Sequence, residues 1–302
     1  MELLKKTNID FIGMRKISFI ISGIMSIIGI IAIVQIARGA ANMGIDFSGG
    51  TSVQLKFSQP VGIDQARHAL AKHNLKEANL QEIKDGNKLL IKVGKTTLAT
   101  GKVADTIEDV FKKEMPGNTF AVESSTEIGP SIGNKLRKDT LVAVAISLLC
   151  IIIYIAWRFD FKFGIGAVVA TLHDVLAILA VFFVLNKEVN LLLITAVLTI
   201  AGYSLTDTVV VFDRIRENLH KNLKEPLFSV FNKSINEVLS RTIVTSITTF
   251  LASVSLYLFG GEVIHDFAFA LVVGVVVATY SSIFVASPVV VILENRGAKA
   301  KA

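Results

Sequence analysis

One carboxylate inside an apolar run poses the first chemical question. Asp207 lies in the stretch from Leu191 to Asn218, LLLITAVLTIAGYSLTDTVVVFDRIREN, which as a helix is long enough to cross a bilayer. Thr206 and Thr208 flank it, and Gly202, Tyr203 and Ser204 come one turn earlier. A charge at membrane depth costs roughly 2.5–3.5 kcal/mol on insertion scales. Such a residue either carries function or is neutralised by a structural partner. With Asp213 at the inner interface, Asp207 lies ~9 Å above it at the helical rise, in the cytoplasmic half of the span. Arg241 opens the next apolar run from the same side, and Thr245 follows it by one turn. If the two helices pack together, Arg241 can reach Asp207. Pairing holds the charge and burial opposes it, and where the two are close the carboxyl can change protonation. Asp207, Arg241 and Thr245 are therefore the candidate proton relay. A permanent Asp–Arg pair that fixes helix packing is the alternative. Small and hydroxyl residues at Gly202, Tyr203 and Ser204 would keep this face narrow and wet, with Thr206 as further polar support.

A second candidate is His173-Asp174, at the midpoint of another apolar run and the deepest ionisable pair in the chain. Adjacent helical residues point about 100° apart, so one is expected to line the bundle and the other to bond a neighbouring helix. Proton movement and structural hydrogen bonding both remain open for this pair. His265 and Asp266 read as a solvated helix start at the outer interface. Gly274, Tyr280, Ser281 and Ser282 read as a packing seam. Cys150 stands alone in an apolar block, and the five histidines show no ligand spacing. No catalytic nucleophile, phosphate loop or metal site is visible. An enzyme is therefore not expected, nor a cofactor; the energy source would be an ion gradient or another subunit.

The elements that must position these groups follow from composition. The chain has 302 residues, 52% hydrophobic and only 19% charged, against about 25% charged in soluble proteins. The apolar residues come in blocks of bilayer-spanning length. Residues 1–37 form an N-terminus with Lys5, Lys6, Arg15 and Lys16 and a first span from Ile17 to Ile36, longer than a signal-peptide core. Residues 38–138 change character: apolar residues become periodic. Strands are expected at Thr51–Phe57, Asn79–Lys84, Lys88–Val93 and Thr119–Glu123, with helices at Ile63–Lys72 and Val103–Met115. Asp85-Gly86-Asn87 is a hairpin signal. The order β-α-β-β-α-β is that of a ferredoxin-like α+β domain. Residues 139–293 hold five more spans, at about Thr140–Trp157, Gly164–Leu185, the stretch beginning at Leu191, Arg241–Phe259 and Ile264–Leu293. A polar connection, 213–241, joins the fourth span to the fifth, and residues 294–302 form a tail. Leu227, Val230, Phe231, Ile235 and Val238 have helical spacing and predict an amphipathic helix along the inner membrane surface. Basic residues concentrate at the N-terminus, 158–162, 213–241 (Lys224 among them) and the tail with Lys301, whereas the opposite short loops hold only Lys187. Both termini are therefore expected in the cytoplasm and the α+β domain outside.

Several motifs carry a resemblance. Gly44-Ile45-Asp46-Phe47-Ser48-Gly49-Gly50-Thr51 resembles the signature of the SecD/SecF family of bacterial preprotein-translocase subunits, with Gly44, Asp46, Phe47, Gly49 and Gly50 as its key positions. Ile128–Gly133, Gly202–Asn218, Arg241-Thr242 and Thr279–Ala286 extend it in the same order, over about residues 10–293. Six spans with one outer domain resemble the SecF branch rather than SecD, whose external region is larger. The resemblance implies half of an RND-type transporter architecture in the bacterial inner membrane. It implies an accessory subunit that uses the proton motive force to promote preprotein translocation. The implied partners are SecD, the SecYEG channel, YajC and the translocating preprotein. Asp207, Arg241 and Thr245 match the family's proton pathway. Two other readings predict different outcomes. A proton-coupled exporter of small molecules or lipids would need a larger outer binding region. A passive scaffold would tolerate loss of Asp207.

Overall fold

A computed structural model describes residues 7–73, 75, 78–83, 87–94, 102–221 and 225–299. Lys5, Lys6, Lys84, Asp85, Gly86, Lys224 and Lys301, named above as topology, strand or turn signals, lie outside the described residues. The chain divides into two compact units, Met43–Val142 and Met1–Asn42 with Ala143–Ala302.

Helix α1 (Arg15–Arg38) precedes the smaller unit, which contains α2 (Ile45–Ser48), β1 (Gly50–Phe57), α3 (Ile63–Lys72), β2 (Asn79–Ile83), β3 (Lys88–Val93), α4 (Val103–Glu114) and β4 (Phe120–Ile128). The sheet order is β2-β3-β1-β4 and every pairing is antiparallel. Strand alternation sends Val53, Leu55, Phe57, Leu89 and Ile91 to one face. Helices α3 and α4 meet that face with Ala66, Leu70, Ile107, Val110 and Phe111. Phe111 packs edge-on to Phe57, with ring centroids 5.4 Å apart, and burial of each such ring stabilises the unit by about 1.5–3 kcal/mol. The expected βαββαβ order is present. Strand β4 extends beyond the expected Thr119–Glu123 because β1 begins at Gly50, whose partner is Ile128.

The double glycine explains that register. Gly49 has φ +72° and Gly50 φ +146°, and a Cβ on Gly50 would lie 2.4 Å from the carbonyl oxygen of Val93. The signature is therefore a backbone joint that lets β1 enter between the ends of β3 and β4. Phe47 of α2 is buried beneath it.

The larger unit contains α1 and α6 (Phe161–Val184), α7 (Leu191–Lys221), α8 (Leu227–Phe259), α9 (His265–Ser281), a π-helical turn (Ser282–Ala286) and α10 (Ser287–Lys299). Helix α5 (Pro130–Arg158) leads into it from the smaller unit. Among the described residues, six helices are long and apolar enough to cross a membrane, α9 to α10 counting as one. Helix α5 begins ten residues before the expected Thr140, so the Ile128–Gly133 motif runs from a strand end into a helix rather than through a loop. Small residues bring backbones together. A Cβ on Gly29 would fall 2.3 Å from the carbonyl oxygen of Leu176, and one on Gly274 2.5 Å from Ile200. Gly274 thus belongs to a packing seam, between α9 and α7.

The expected surface helix in 227–238 is corrected by the structure. It is the first part of α8, continuous with the fifth span. Val230, Phe231 and Ile235 are buried among residues that include Ile215 of α7. Asn218 of α7 donates hydrogen bonds to Ser234 (3.0 Å) and Glu237 (2.7 Å) of α8. The apolar stripe is spent on a helix–helix contact, so it is not available to a membrane surface. The segment 213–241 is accordingly two helical extensions around a short connection. Charged ends gather near it. Arg158 at the end of α5 donates to both carboxylate oxygens of Asp213 (2.6 and 2.7 Å), Lys162 of α6 pairs with Glu294 of α10 (2.9 Å), and Arg214 pairs with Glu237 (2.6 Å).

Candidate functional site

Asp207 is buried, with 6% of its surface exposed. It reaches across from α7 to α8, where Thr245 Oγ1 stands 3.5 Å from Asp207 Oδ1. That hydroxyl has one proton and two backbone acceptors closer by, the carbonyl oxygens of Thr242 (2.8 Å) and Arg241 (3.2 Å). The contact to Asp207 is thus the weakest of the three. Among the described residues, Asp207 Oδ2 is buried with no hydrogen-bond partner, as is Thr242 Oγ1. Arg241 is exposed and makes no ion pair with Asp207 among the described residues. Asp207 is therefore not locked into a salt bridge. It can gain or lose a proton without breaking a strong bond.

Hydroxyls extend the site sideways. Thr279 of α9 donates to Ser246 Oγ at 2.7 Å, and Tyr203 of α7 reaches the same oxygen at 3.5 Å. Ser246 and Thr279 also line an apolar cavity of about 570 Å³ bounded by Ile9, Phe11, Ile243 and Phe284. Thr206 does not join this site. It lies on the exposed face of α7 and donates to its own helix at Gly202 (3.2 Å), so its proposed support of Asp207 is not seen.

His173 and Asp174 of α6 form a separate cluster. Asp174 is fully buried and His173 is 5% exposed. His173 Nδ1 lies 3.1 Å from Asp174 Oδ1. Ser204 of α7 and Ser281 of α9 both donate to Asp174 Oδ2, the latter at 2.9 Å. Adjacent positions were expected to diverge, but the two side chains bend towards each other. Ser204 therefore serves Asp174, not Asp207. The ring of Tyr280 sits 6.0 Å from that of His173, and its hydroxyl donates to the Ser18 carbonyl of α1 (2.9 Å). At the far end of the bundle, Asp266 pairs with Lys187 (2.7 Å) and His265 packs on Tyr257.

Ser246, Thr279 and Ser281 were not singled out as site residues. A signal existed for the first: α8 carries hydroxyls at Thr242, Thr245, Ser246, Thr248 and Thr249. Ser281 and Thr279 gave less, because hydroxyls in a membrane helix usually bond their own backbone. Among the described residues, no group of three or more His, Cys, Asp or Glu side chains has a metal-holding arrangement.

A bundle of membrane-spanning helices with buried carboxyls, joined to a small antiparallel α+β unit, defines a multi-pass membrane protein with protonatable groups inside its helical bundle. Comparison with known sequences resolves the family. Residues 106–296 match the family described as "Protein export membrane protein SecD/SecF, C-terminal", and residues 41–61 match the "SecD/SecF GG Motif". The protein translocase subunit SecF of Thermodesulfovibrio yellowstonii is 55% identical over 294 residues, 97% of each chain. That of Calditerrivibrio nitroreducens is 41% identical over 299 residues, covering 98% of this chain and 97% of the relative. The crystal structure of SecDF from Thermus thermophilus, a translocon-associated membrane protein, superposes with a TM-score of 0.83 at 34% identity over 96% of this chain. This chain spans 39% of the SecDF chain. The chain belongs to the SecD/SecF family of protein-export membrane proteins.

Proposed function

We propose that this chain is the SecF-type accessory subunit of the Sec export machinery, and that with SecD it uses the proton motive force to promote preprotein translocation. The observation that carries the reading is Asp207: a buried carboxyl in a membrane-spanning helix that, among the described residues, is held by no ion pair and has one oxygen unpartnered. A structural carboxylate at that depth needs a neutralising partner. Asp207 has none among the described residues, which favours a group that carries a proton through a cycle. Thr245 orients Oδ1, and Arg241 biases the charge from outside. The proton gradient is the energy source, and no cofactor is required.

SecD, the SecYEG channel, YajC and the preprotein are the partners this reading entails. The setting is the bacterial inner membrane, with both termini cytoplasmic. Supporting that orientation, Arg158, Lys162, Arg214 and Arg216 gather where α5 ends, α6 begins and α7 and α8 extend, whereas Lys187 stands at the opposite turn.

The test is Asp207→Asn, which preserves shape and cannot ionise. Export driven by the proton motive force and recovery of the complex with SecD are measured together in membrane vesicles. The expected outcome is intact complex and loss of the export stimulus to the level seen without the chain. Undiminished stimulation would support a scaffold instead.

A further inference from the structure

Asp174 is more deeply buried than Asp207 and better bonded. Its only charged or chargeable hydrogen-bond partner among the described residues is His173. Among the described residues, the helices packed on α6 bring no Lys or Arg to it. Helix α1 carries no charged residue between Lys16 and Arg38 and presents Ser18 and Ser22. Helix α7 brings Ser204, with Asp207 one turn on and Asp213 paired to Arg158. Helix α9 brings Ser281 and the Tyr280 ring, and its Asp266 is paired to Lys187. The π-helical turn brings Ser282, and Glu294 of α10 is paired to Lys162.

His173 Nδ1 faces Asp174 Oδ1, and its Nε2 is buried with no hydrogen-bond partner among the described residues. The pair then has two states. In one, His173 Nδ1–H donates to a bare carboxylate. In the other, the carboxylate has taken up one proton from solution, so the pair holds two. Only that proton is gained or lost between the states, and no other covalent bond is made or broken. A proton placed on Oδ2 gives that oxygen an O–H to donate while it keeps acceptor capacity, so Ser204 or Ser281 must rotate its hydroxyl hydrogen away and accept instead.

We propose that His173 and Asp174 form a second proton-holding site of the bundle, coupled to the Asp207 site through Ser204 on α7 and Ser281 on α9. The placement supports this. Ser204 and Asp207 are three residues apart on α7, so they are neighbours on its surface, ~4.5 Å along the axis. Ser281 lies two residues beyond Thr279, which bonds Ser246 beside Thr245. The same two helices thus carry donors for Asp174 and walls of the Asp207 site. A change in the Ser204 or Ser281 bond is felt at both. The proposal deepens the reading of Asp207 as a proton carrier and rests on it.

The test is infrared difference spectroscopy of the full chain in its complex with SecD, titrated across the pH range in which the complex stays folded. Asp207→Asn is expected to remove one pH-dependent carboxyl C=O band and Asp174→Asn a different one. Asp174→Asn is also expected to shift the pH midpoint of the band that Asp207→Asn removes. If Asp174→Asn removes no band, the group does not titrate and the proposal falls, whatever happens to export. If the Asp207 midpoint stays put, the coupling falls. If Asp207→Asn removes no band while Asp174→Asn does, the Asp207 reading fails and Asp174 stands as a proton site by itself. Should Asp174→Asn fail to assemble, Ser204→Ala decides. Loss of one donor is expected to move the frequency of the Asp174 band, and a spectrum identical to the parent would overturn the assignment.

Discussion

Thr245 Oγ1 lies 3.5 Å from Asp207 Oδ1 but only 2.8 Å from the carbonyl oxygen of Thr242. The hydroxyl proton has a better acceptor than the carboxyl, so Thr245 guides Asp207 without holding it. Thr245→Val keeps the shape and removes the hydroxyl. The expected change in stability is below about 1 kcal/mol, because the lost bond is a local one to the backbone of the same helix. The export stimulus is expected to fall less than with Asp207→Asn. Thermal unfolding in detergent and vesicle export check the two halves. Equal loss in the two variants would make Thr245 a direct proton partner.

Gly50 sits where a side chain has no room. With φ +146° and a Cβ position 2.4 Å from the Val93 carbonyl oxygen, Gly50→Ala must strain the backbone and push β3 aside. A destabilisation of about 1–3 kcal/mol is expected from the backbone strain. Faster proteolysis of the α+β unit in the full chain would report it. Gly62, whose Cβ position is open, serves as the control, and Gly62→Ala is expected to leave proteolysis unchanged.

Glu114 supplies a pH dependence outside the membrane spans. The hydrogen bond from Lys72, 2.6 Å away, holds its carboxyl below the usual range, with lesser help from His73. A depressed carboxylate contributes stability that is fully present above the unfolded value, about 4.3, and is lost as pH falls through the lower folded value. The pair is exposed, so the effect is small. Lys72→Gln is expected to lose less stability than the parent on acidification below about pH 4.3. Thermal melts at neutral and acid pH measure the difference, and parallel losses would show that the pair contributes nothing.

Much of the architecture was legible in the residue pattern. Apolar blocks of bilayer length marked the spans, because backbone groups in lipid must be satisfied within a helix. Alternation at Thr51–Phe57 and the stripe at Ile107, Val110 and Phe111 marked the α+β unit, because each strand and helix there buries one face. Asp207 was legible too, since a carboxylate in such a run is costly wherever it points.

What the pattern lacked was rotation and neighbourhood. A membrane helix is apolar on every side, so hydropathy does not say which face meets which helix. That Ser204 serves Asp174 while Asp207, three residues on, faces Thr245 was decided by how α6, α7, α8 and α9 pack. The same holds for Arg241, which stays outside, and for Val230 and Ile235, whose stripe is filled by α7 rather than by lipid. Composition and periodicity determined that the chain crosses a membrane, carries a small βαββαβ unit and buries carboxyls. The tertiary structure alone decided which hydroxyls those carboxyls touch, because close approach through residues such as Gly274 depends on partners distant in sequence.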